Sequence, residues 1–275
     1  MEIRTVQAVY FSATNTTKKV VTTVARTLAE QLGVPVKTFD FTLPRARVAE
    51  RCFEPTDLVV FGTPVYAGRV PNVLLKFIRT IKGNGAVAIP LVVYGNRNFD
   101  DALVELRDLL EGDGFHTLSA GAFIGEHSFS RILAAGRPDA QDLEKAKSFA
   151  LQSLEKLGGI ADVNSMPPVE VEGIPYPYRG YYWPKDRQGN PVDIRKVRPK
   201  VNENCINCKL CAKVCPMGSI SLENVREFSG ICLRCGSCVK KCPQQARYYD
   251  EYSYHYHRIE LEEGFARRAE PSLFF

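Results

Sequence analysis

Eight of the nine cysteines in this chain lie in two short runs near its end. The first run contains Cys205, Cys208, Cys211 and Cys215, and the second contains Cys232, Cys235, Cys238 and Cys242. Cysteines at this density can bind iron–sulfur clusters or zinc, or can form disulfides. Structural zinc sites typically use two C-x₂-C pairs set about a dozen or more residues apart, whereas each run here contains a third, closely spaced cysteine. The spacing therefore favours iron–sulfur clusters over zinc.

Both runs match the pattern C-x₂-C-x₂-C-x₃-C-P. This pattern resembles that of bacterial ferredoxins with two [4Fe–4S] clusters, in which the fourth cysteine of each run binds the other cluster. The resemblance implies two ligand sets. One set is Cys205, Cys208, Cys211 and Cys242, and the other is Cys232, Cys235, Cys238 and Cys215.

Basic residues are interleaved with the cysteines. They are Lys209, Lys213, Arg234, Lys240 and Lys241. Positive charge near a cluster favours its reduced form, and it can also form a docking face for an acidic partner. These side chains could equally be solvated surface charges, which is the ordinary role of scattered lysines and arginines.

The first 160 residues alternate between predicted strands and helices. Strands are predicted at 4–11, 34–41, 57–62, 86–95 and 115–125, and helices at 15–32, 72–82, 98–112 and 138–157. Five strands alternating with helices indicate an α/β fold with a doubly wound parallel sheet covered on both faces. Ligands of such sheets bind beyond the carboxyl ends of the strands.

Three loops follow predicted strands and could contact such a ligand. Loop 12–17 (SATNTT) combines hydroxyl and amide side chains with the start of a helix, which suits a phosphate group. It has neither the lysine of a P-loop nor the GxGxxG of a dinucleotide site. Helix capping by Ser12 or Thr14 accounts for one of these polar side chains, but not for the whole loop. The other two loops, 61–71 and 94–103, place tyrosines at strand ends.

Together these features resemble a flavodoxin over residues 1 to about 160. The resemblance implies a five-stranded sheet of order 2-1-3-4-5 with FMN at the switch point, and an aromatic ring, Tyr66, on the isoalloxazine. No catalytic residue is implied. The implied FMN-binding residues are Ser12, Thr14, Asn15, Thr16, Thr17, Thr63, Pro64, Tyr66, Gly68, Tyr94, Gly95, Asn96, Arg97 and Phe99.

The ring loops differ from those of ordinary flavodoxins, which tend to surround the flavin with acidic residues. Here Arg69 and Arg97 lie in the two ring-binding loops. We hypothesise that Arg97 lies near the N1 edge of the flavin and stabilises its anionic reduced form; the alternative is a solvent-facing arginine. Glu126 and His127 follow the fifth strand and could face the cofactor.

The remaining segments are a connector and a small second unit. Residues 161–200 are rich in Pro, Gly and Tyr and predict an irregular connector whose aromatic side chains dock on a neighbouring surface. Residues 201–275 predict a small α+β two-cluster ferredoxin domain with a C-terminal tail. In that tail, alternation at 252–257 predicts a strand with His255 and His257 on an exposed face rather than in a metal site. Cys52 is expected to be an ordinary semi-buried thiol.

The whole chain resembles the flavodoxin–ferredoxin fusion proteins of anaerobic bacteria. The resemblance implies an electron relay between FMN and two [4Fe–4S] clusters that serves a redox partner protein; the alternative is an FMN-dependent reductase of a small acceptor. The formal charge is +5, but basic residues are spread along the chain, so we expect no nucleic-acid partner. The sequence predicts neither a membrane span nor a secretory signal, and hence a cytoplasmic protein of undetermined oligomeric state.

Overall fold

A computed structural model describes residues 2–275. The strands are β1 (Thr5–Tyr10), β2 (Val36–Asp40), β3 (Asp57–Pro64), β4 (Val87–Tyr94), β5 (His116–Thr117), β6 (Ala120–Ile124), β7 (Lys200–Val201), β8 (Arg247–Tyr248) and β9 (Ser272–Phe274). All except β7 and β8 belong to one sheet of order β2-β1-β3-β4-β6-β9, in which β5 also pairs with β4. The central strands β1 and β4 are buried along their whole length, as expected for parallel strands covered on both faces.

Four helices cover the two faces of this sheet. They are α1 (Thr16–Leu32), α2 (Asn72–Ile78), α3 (Ala102–Gly112) and α4 (Ala140–Gly158). Three further helices follow along the chain: α5 (Leu210–Lys213), α6 (Ser237–Lys240) and α7 (Tyr252–Gly264). Two 3₁₀ turns span Pro44–Arg47 and Val163–Ser165. Helices α1 and α4 bury Val20 and Phe149 in one apolar cluster, while α2 and α3 bury Leu74 and Leu103 in the other. No helix within residues 2–275 combines the length and apolar character needed to cross a membrane.

The predicted α/β fold and strand order are confirmed. The fifth predicted strand is divided into β5 and β6, both parallel to β4. The sheet also contains a strand that the sequence did not predict, because β9 at the end of the chain pairs antiparallel with β6. The first sheet is therefore completed by residues that lie beyond the cysteine runs.

The tail prediction at residues 252–257 is wrong, because this segment forms helix α7 and not a strand. Tyr254, His257 and Leu261 recur at helical spacing and form its buried face. His257 is therefore buried, with 6% of its surface exposed, and does not lie on an exposed face. The alternation of tyrosine with serine and histidine was misleading, since a period of two over six residues is also compatible with a short helical stripe.

The cysteine runs fold around very short elements. Strands β7 and β8 pair antiparallel, and the four-residue helices α5 and α6 each begin after a residue in the left-handed conformation, Lys209 or Gly236. At Gly236 a side chain would also collide with the backbone of Ser128, since an added Cβ would lie 2.6 Å from its carbonyl oxygen. The second cysteine run thus packs closely against the loop that follows β6.

The connector docks on helix α3. The buried Asp101 carboxylate accepts hydrogen bonds from the backbone N–H groups of Ile174 (2.9 Å) and Arg179 (2.8 Å). The Tyr178 hydroxyl donates to Asp108 at 2.8 Å. These contacts hold a segment without helices against the first unit and direct its aromatic residues toward the end of β4.

Candidate functional site

The eight clustered cysteines line two separate cavities, with four cysteines around each. The inner cysteine cavity is lined by Cys215, Cys232, Cys235 and Cys238, and the outer cysteine cavity by Cys205, Cys208, Cys211 and Cys242. Each cavity thus takes three cysteines from one run and the last cysteine of the other run. The cross-over follows from the antiparallel closure of the two runs, which brings the end of each run beside the start of the other.

Backbone N–H groups point at several of these sulfur atoms. Cys215 Sγ accepts from Ser219 N–H at 3.4 Å, Cys232 Sγ from Arg234 N–H at 3.4 Å, and Cys242 Sγ from Ala246 N–H at 3.3 Å. Hydrogen bonds to thiolate sulfur stabilise its negative charge. Each cavity therefore combines four cysteine sulfur atoms with at least one backbone N–H group directed at a sulfur.

The two cavities differ in burial. Cys235, in the inner cavity, is buried, and burial raises the pKa of its thiol to about 12. Cys208, in the outer cavity, is exposed, as is its neighbour Ile206. The difference lies in these two cysteines, since the other six cysteines of the two cavities are all partly exposed.

The loop at residues 12–17 forms a small polar cavity at the start of α1. Thr14, Thr16 and Thr17 line it, and the buried Thr17 Oγ1 has no hydrogen-bond partner in the protein. Helix α1 has no acidic residue in its first turn. A helix N-terminus whose N-cap side chain makes no capping hydrogen bond, as at Asn15 here, attracts an anion. The same cavity is lined on its far side by Cys235 of the second cysteine run.

A larger cavity of about 490 Å³ lies beyond the ends of β3 and β4. The predicted ring loops contribute Tyr66, Gly68, Tyr94, Gly95 and Arg97 to its lining. The connector contributes Tyr181, Tyr182 and Trp183, the second cysteine run Leu233 and Arg234, and helix α7 His257 and Leu261. We refer to it as the ring cavity. Its volume is within the range of cavities that bind a cofactor or a drug-sized molecule.

The structure brings nine of the predicted FMN-binding residues to these two cavities. They are Thr14, Thr16, Thr17, Pro64, Tyr66, Gly68, Tyr94, Gly95 and Arg97. The other five, Ser12, Asn15, Thr63, Asn96 and Phe99, lie outside both linings. Ser12 Oγ caps α1 by accepting from Lys18 N–H at 3.0 Å, Asn15 is exposed, and Thr63 is fully buried in β3. Phe99 packs in the core against Tyr94, with ring centroids 5.7 Å apart.

Asn96 has a structural role that the sequence did not predict. Its side-chain amide, 2% exposed, donates to the carbonyl oxygens of Phe265 (2.7 Å) and Arg267 (2.6 Å), and its oxygen accepts from Ala269 N–H at 3.3 Å. This side chain therefore holds the segment between α7 and β9.

The two arginines of the ring loops are already paired. Arg97 forms an ion pair with Asp100, and its guanidinium lies 4.2 Å above the Tyr182 ring. Arg69 forms two hydrogen bonds with Glu105, at 2.6 and 2.8 Å, and lies against the connector ring of Tyr178. Arg97 remains part of the ring cavity, whereas Arg69 fixes the connector.

Two histidines line the ring cavity from different parts of the chain. Burial, with the charges of His257, Lys240 and Arg97, lowers the pKa of His127 to about 3, and burial together with Arg97 lowers the pKa of His257 to about 4. Both rings are therefore neutral at pH 7. His127 Nδ1 accepts from Phe129 N–H at 3.1 Å, so the ring proton lies on Nε2. Sequence reasoning considered His127 but missed His257, because its helical position was not predicted.

Lysine and arginine side chains bind the two units together. Lys240 Nζ, from the second cysteine run, donates to the carbonyl oxygen of His127 at 2.6 Å and pairs with Glu126. Arg47, from the first unit, donates to the carbonyl oxygen of Pro216 at 2.6 Å. Lys240 is thus an anchor between units and not a freely solvated charge. Glu126 is occupied by this pair, while His127 contacts both cavities.

Two parts of the chain match known families. Residues 7–95 match the family described as a flavodoxin domain, and residues 199–247 match the family described as a 4Fe-4S dicluster domain. Neither match covers half of the chain. Among proteins of curated function, none matches this chain.

Solved structures with a similar fold include a flavodoxin from the domain Archaea, with 16% identity over 56% of this chain and 99% of that chain (TM-score 0.40). The flavodoxin of Streptococcus pneumoniae TIGR4 has 18% identity over 55% of this chain and 99% of its own (TM-score 0.39). Rubredoxin oxygen:oxidoreductase from Desulfovibrio gigas has 18% identity over 58% of this chain and 38% of its own (TM-score 0.40).

Proposed function

We propose that this chain, in which a flavodoxin domain match is followed by a 4Fe-4S dicluster domain match, relays electrons between FMN and two [4Fe–4S] clusters for a redox partner protein. The observation that carries the proposal is the position of Cys235. This residue lines the inner cysteine cavity and also the polar cavity at the start of α1. Leu233 in turn lines both the inner cysteine cavity and the ring cavity. When bound, FMN exchanges one or two electrons and each cluster exchanges one.

The cysteines are assigned to clusters by the cavities that they line. We assign Cys215, Cys232, Cys235 and Cys238 to an inner cluster, and Cys205, Cys208, Cys211 and Cys242 to an outer cluster. Four thiolates around each space, with N–H groups directed at the sulfur atoms, suit the ligand set of a [4Fe–4S] core.

FMN is assigned to the polar cavity and the ring cavity. Its phosphate would accept hydrogen bonds from Thr14, Thr16 and Thr17 and from the N-terminus of α1, which satisfies the unpartnered Thr17 hydroxyl. Tyr66 and Tyr94 would contact the ring. Close packing between Gly95 and His127 supports this, because a Cβ on Gly95 would lie 2.3 Å from the His127 ring.

The partner is assigned to the outer cluster. Cys208 is the one exposed cysteine of the two cavities and its neighbour Ile206 is exposed too, whereas Cys235 of the inner cavity is buried and the ring cavity is lined by the connector and α7. We assign residues 1–160 to the FMN-binding unit, 161–200 to the connector and 201–275 to the cluster-binding unit, with β9 returning to the first sheet.

An anaerobic reductive titration of the purified protein tests the relay. We expect about eight irons and about one FMN per chain, and bleaching in separable flavin and cluster phases. Iron, sulfide and flavin would be quantified on the same sample. A protein with eight irons that binds no flavin would contradict the relay.

The ring cavity favours a second candidate function, the reduction of a small acceptor by the flavin. A flavin that only carries electrons needs no more than an exposed ring edge. In this chain the ring cavity extends beyond the ring loops and is also lined by His127, Tyr182 and His257. Neutral imidazoles in such a position can donate hydrogen bonds to a substrate oxygen. The suitable substrate class is a small planar molecule with carbonyl-type oxygens.

Saturation kinetics with a water-soluble benzoquinone distinguish this candidate from the carrier. If the cavity binds the acceptor, His257→Phe is expected to raise KM about tenfold, since one hydrogen bond is lost while an aromatic ring remains at this position. His255→Phe is the matched control, because His255 lies on the same helix but is bonded to the Tyr249 carbonyl oxygen. Reoxidation that does not saturate and is equal in both variants would exclude the candidate.

A further inference from the structure

Arg247 is a buried cation beside the outer cysteine cavity. It lies in β8 with 3% of its surface exposed. Its guanidinium donates to Cys211 Sγ at 3.4 Å, to the Pro199 carbonyl oxygen at 3.3 Å and to the carbonyl oxygen of Val225. The sequence analysis did not single out this residue, because it follows the last cysteine run and belongs to no motif.

The positive charge of Arg247 has no anionic partner within residues 2–275, where its Nε also lacks a hydrogen bond. The other buried arginine, Arg137, is paired with Asp142, and the partly buried Arg69 is paired with Glu105. An uncompensated buried charge is strongly unfavourable. Carbonyl dipoles alone do not neutralise it, so its counter-charge must come from something that the protein binds.

We propose that Arg247 is the counter-ion of the outer cluster and holds its reduction potential above that of the inner cluster. The inference rests on the proposed function, since it requires both clusters to be bound. A [4Fe–4S] core with four thiolates is anionic, and reduction adds one further negative charge. The charge of Arg247 also acts on Cys238 of the inner cavity, and Arg234 and Lys241 lie near the inner cysteines. Its only hydrogen bond to a cysteine sulfur is to Cys211 of the outer cavity, so the loss of Arg247 affects the outer cluster more than the inner one.

The consequence is a direction for the internal electron step. One electron leaves the reduced inner cluster, which becomes oxidised, and enters the outer cluster, which becomes reduced; no bond or proton changes. Because the product charge lies beside Arg247, the electron is favoured at the cluster nearest the surface. The chain is thereby biased toward delivering electrons outward.

Potentiometric titration of the complete cofactor-loaded protein, followed by EPR and voltammetry, tests the inference. In Arg247→Met we expect the potential of the outer cluster, identified as the signal that Cys208→Ala loses, to fall by about tenfold in the ratio of reduced to oxidised cluster, or about 59 mV for one electron. The other potential should shift less, and the flavin potentials should not change. Arg247→Lys, which keeps the charge, should retain most of the wild-type potential.

Arg226→Met is the matched control. Arg226 also donates to backbone carbonyl oxygens, of Val201 (2.7 Å) and Asn202 (3.4 Å), but it is exposed and contacts no cysteine. Unchanged cluster potentials in an Arg247→Met protein with full iron content would overturn the inference and leave the relay intact. If Arg247→Met fails to bind clusters, Arg247→Lys distinguishes the two explanations. Full iron content in Arg247→Lys would show that the positive charge is required. Loss of clusters in both variants would mean that Arg247 acts in folding alone, which overturns the inference. Absence of clusters in the wild type would instead overturn the proposed function.

Discussion

The variant Cys235→Ala is expected to lose about half of the bound iron and to slow electron exchange between flavin and iron at least tenfold. Cys235 lines both the inner cysteine cavity and the polar cavity of the first unit, so its loss removes the cluster adjacent to the flavin. Iron content and the anaerobic rate of flavin oxidation, followed by stopped-flow absorbance, measure the two effects.

Cys208→Ala is the matched control for this variant. It also removes one ligand and about half of the iron, but from the outer cysteine cavity, which shares no lining residue with the cavities of the first unit. Flavin oxidation by the inner cluster should then persist, while reduction of an external ferredoxin-type acceptor should fail. Identical kinetics in the two variants would show that the inner cluster does not stand between the flavin and the outer cluster.

The variant Asn96→Ala is expected to lower the free energy of unfolding by about 3 kcal/mol, because three hydrogen bonds made by a buried amide side chain are lost. Two of these bonds go to the carbonyl groups of Phe265 and Arg267, which lead from α7 to β9. Denaturant unfolding followed by the fluorescence of Trp183, the only tryptophan, provides the measurement.

Asn98→Ala is the control from the same loop. Asn98 is exposed and accepts a single hydrogen bond, from Asp100 N–H at 2.8 Å, so its replacement should cost less than about 1 kcal/mol. The affinity for FMN distinguishes two roles for Asn96, which are holding the segment between α7 and β9 and binding the cofactor. If Asn96→Ala leaves stability unchanged and weakens FMN binding more than tenfold, its role in holding the tail is wrong.

The features that sequence reasoning predicted are those whose chemistry is local in the chain. The spacing that identifies each cysteine run is contained within a dozen residues. The loop at 12–17 directly connects the strand before it to the helix after it. The alternating strands and helices likewise follow from apolar patterns within each element. The sheet order was supplied by the resemblance to flavodoxins, and the structure confirms it.

The features that were missed arise from contacts between distant segments. His257 reaches the ring cavity only because α7 is a helix packed against Phe129, with ring centroids 6.0 Å apart. Asn96 belongs to a loop that resembles a cofactor loop, but its neighbour in space is the end of the chain. No sequence pattern indicates the role of Arg247, because a buried charge without a partner can be identified only from the residues that surround it in the structure. At these positions the role of a residue is determined by tertiary contacts and not by the local sequence pattern.

The return of the chain to its first sheet changes how the cluster-binding unit is attached. Strand β9 pairs with β6, so everything between Ile124 and Ser272 is a loop closed at both ends and not an appendage on one linker. The entropy of closing so long a loop is modest, since each doubling of length costs only about 0.6 kcal/mol. Closing the loop restricts the motion of the cluster-binding unit. A domain on a single linker must find its contact surface by diffusion, whereas a unit attached at both ends stays next to that surface. Because β9 belongs to the first sheet, the segment that contains both cysteine runs is fixed to that sheet at both of its ends.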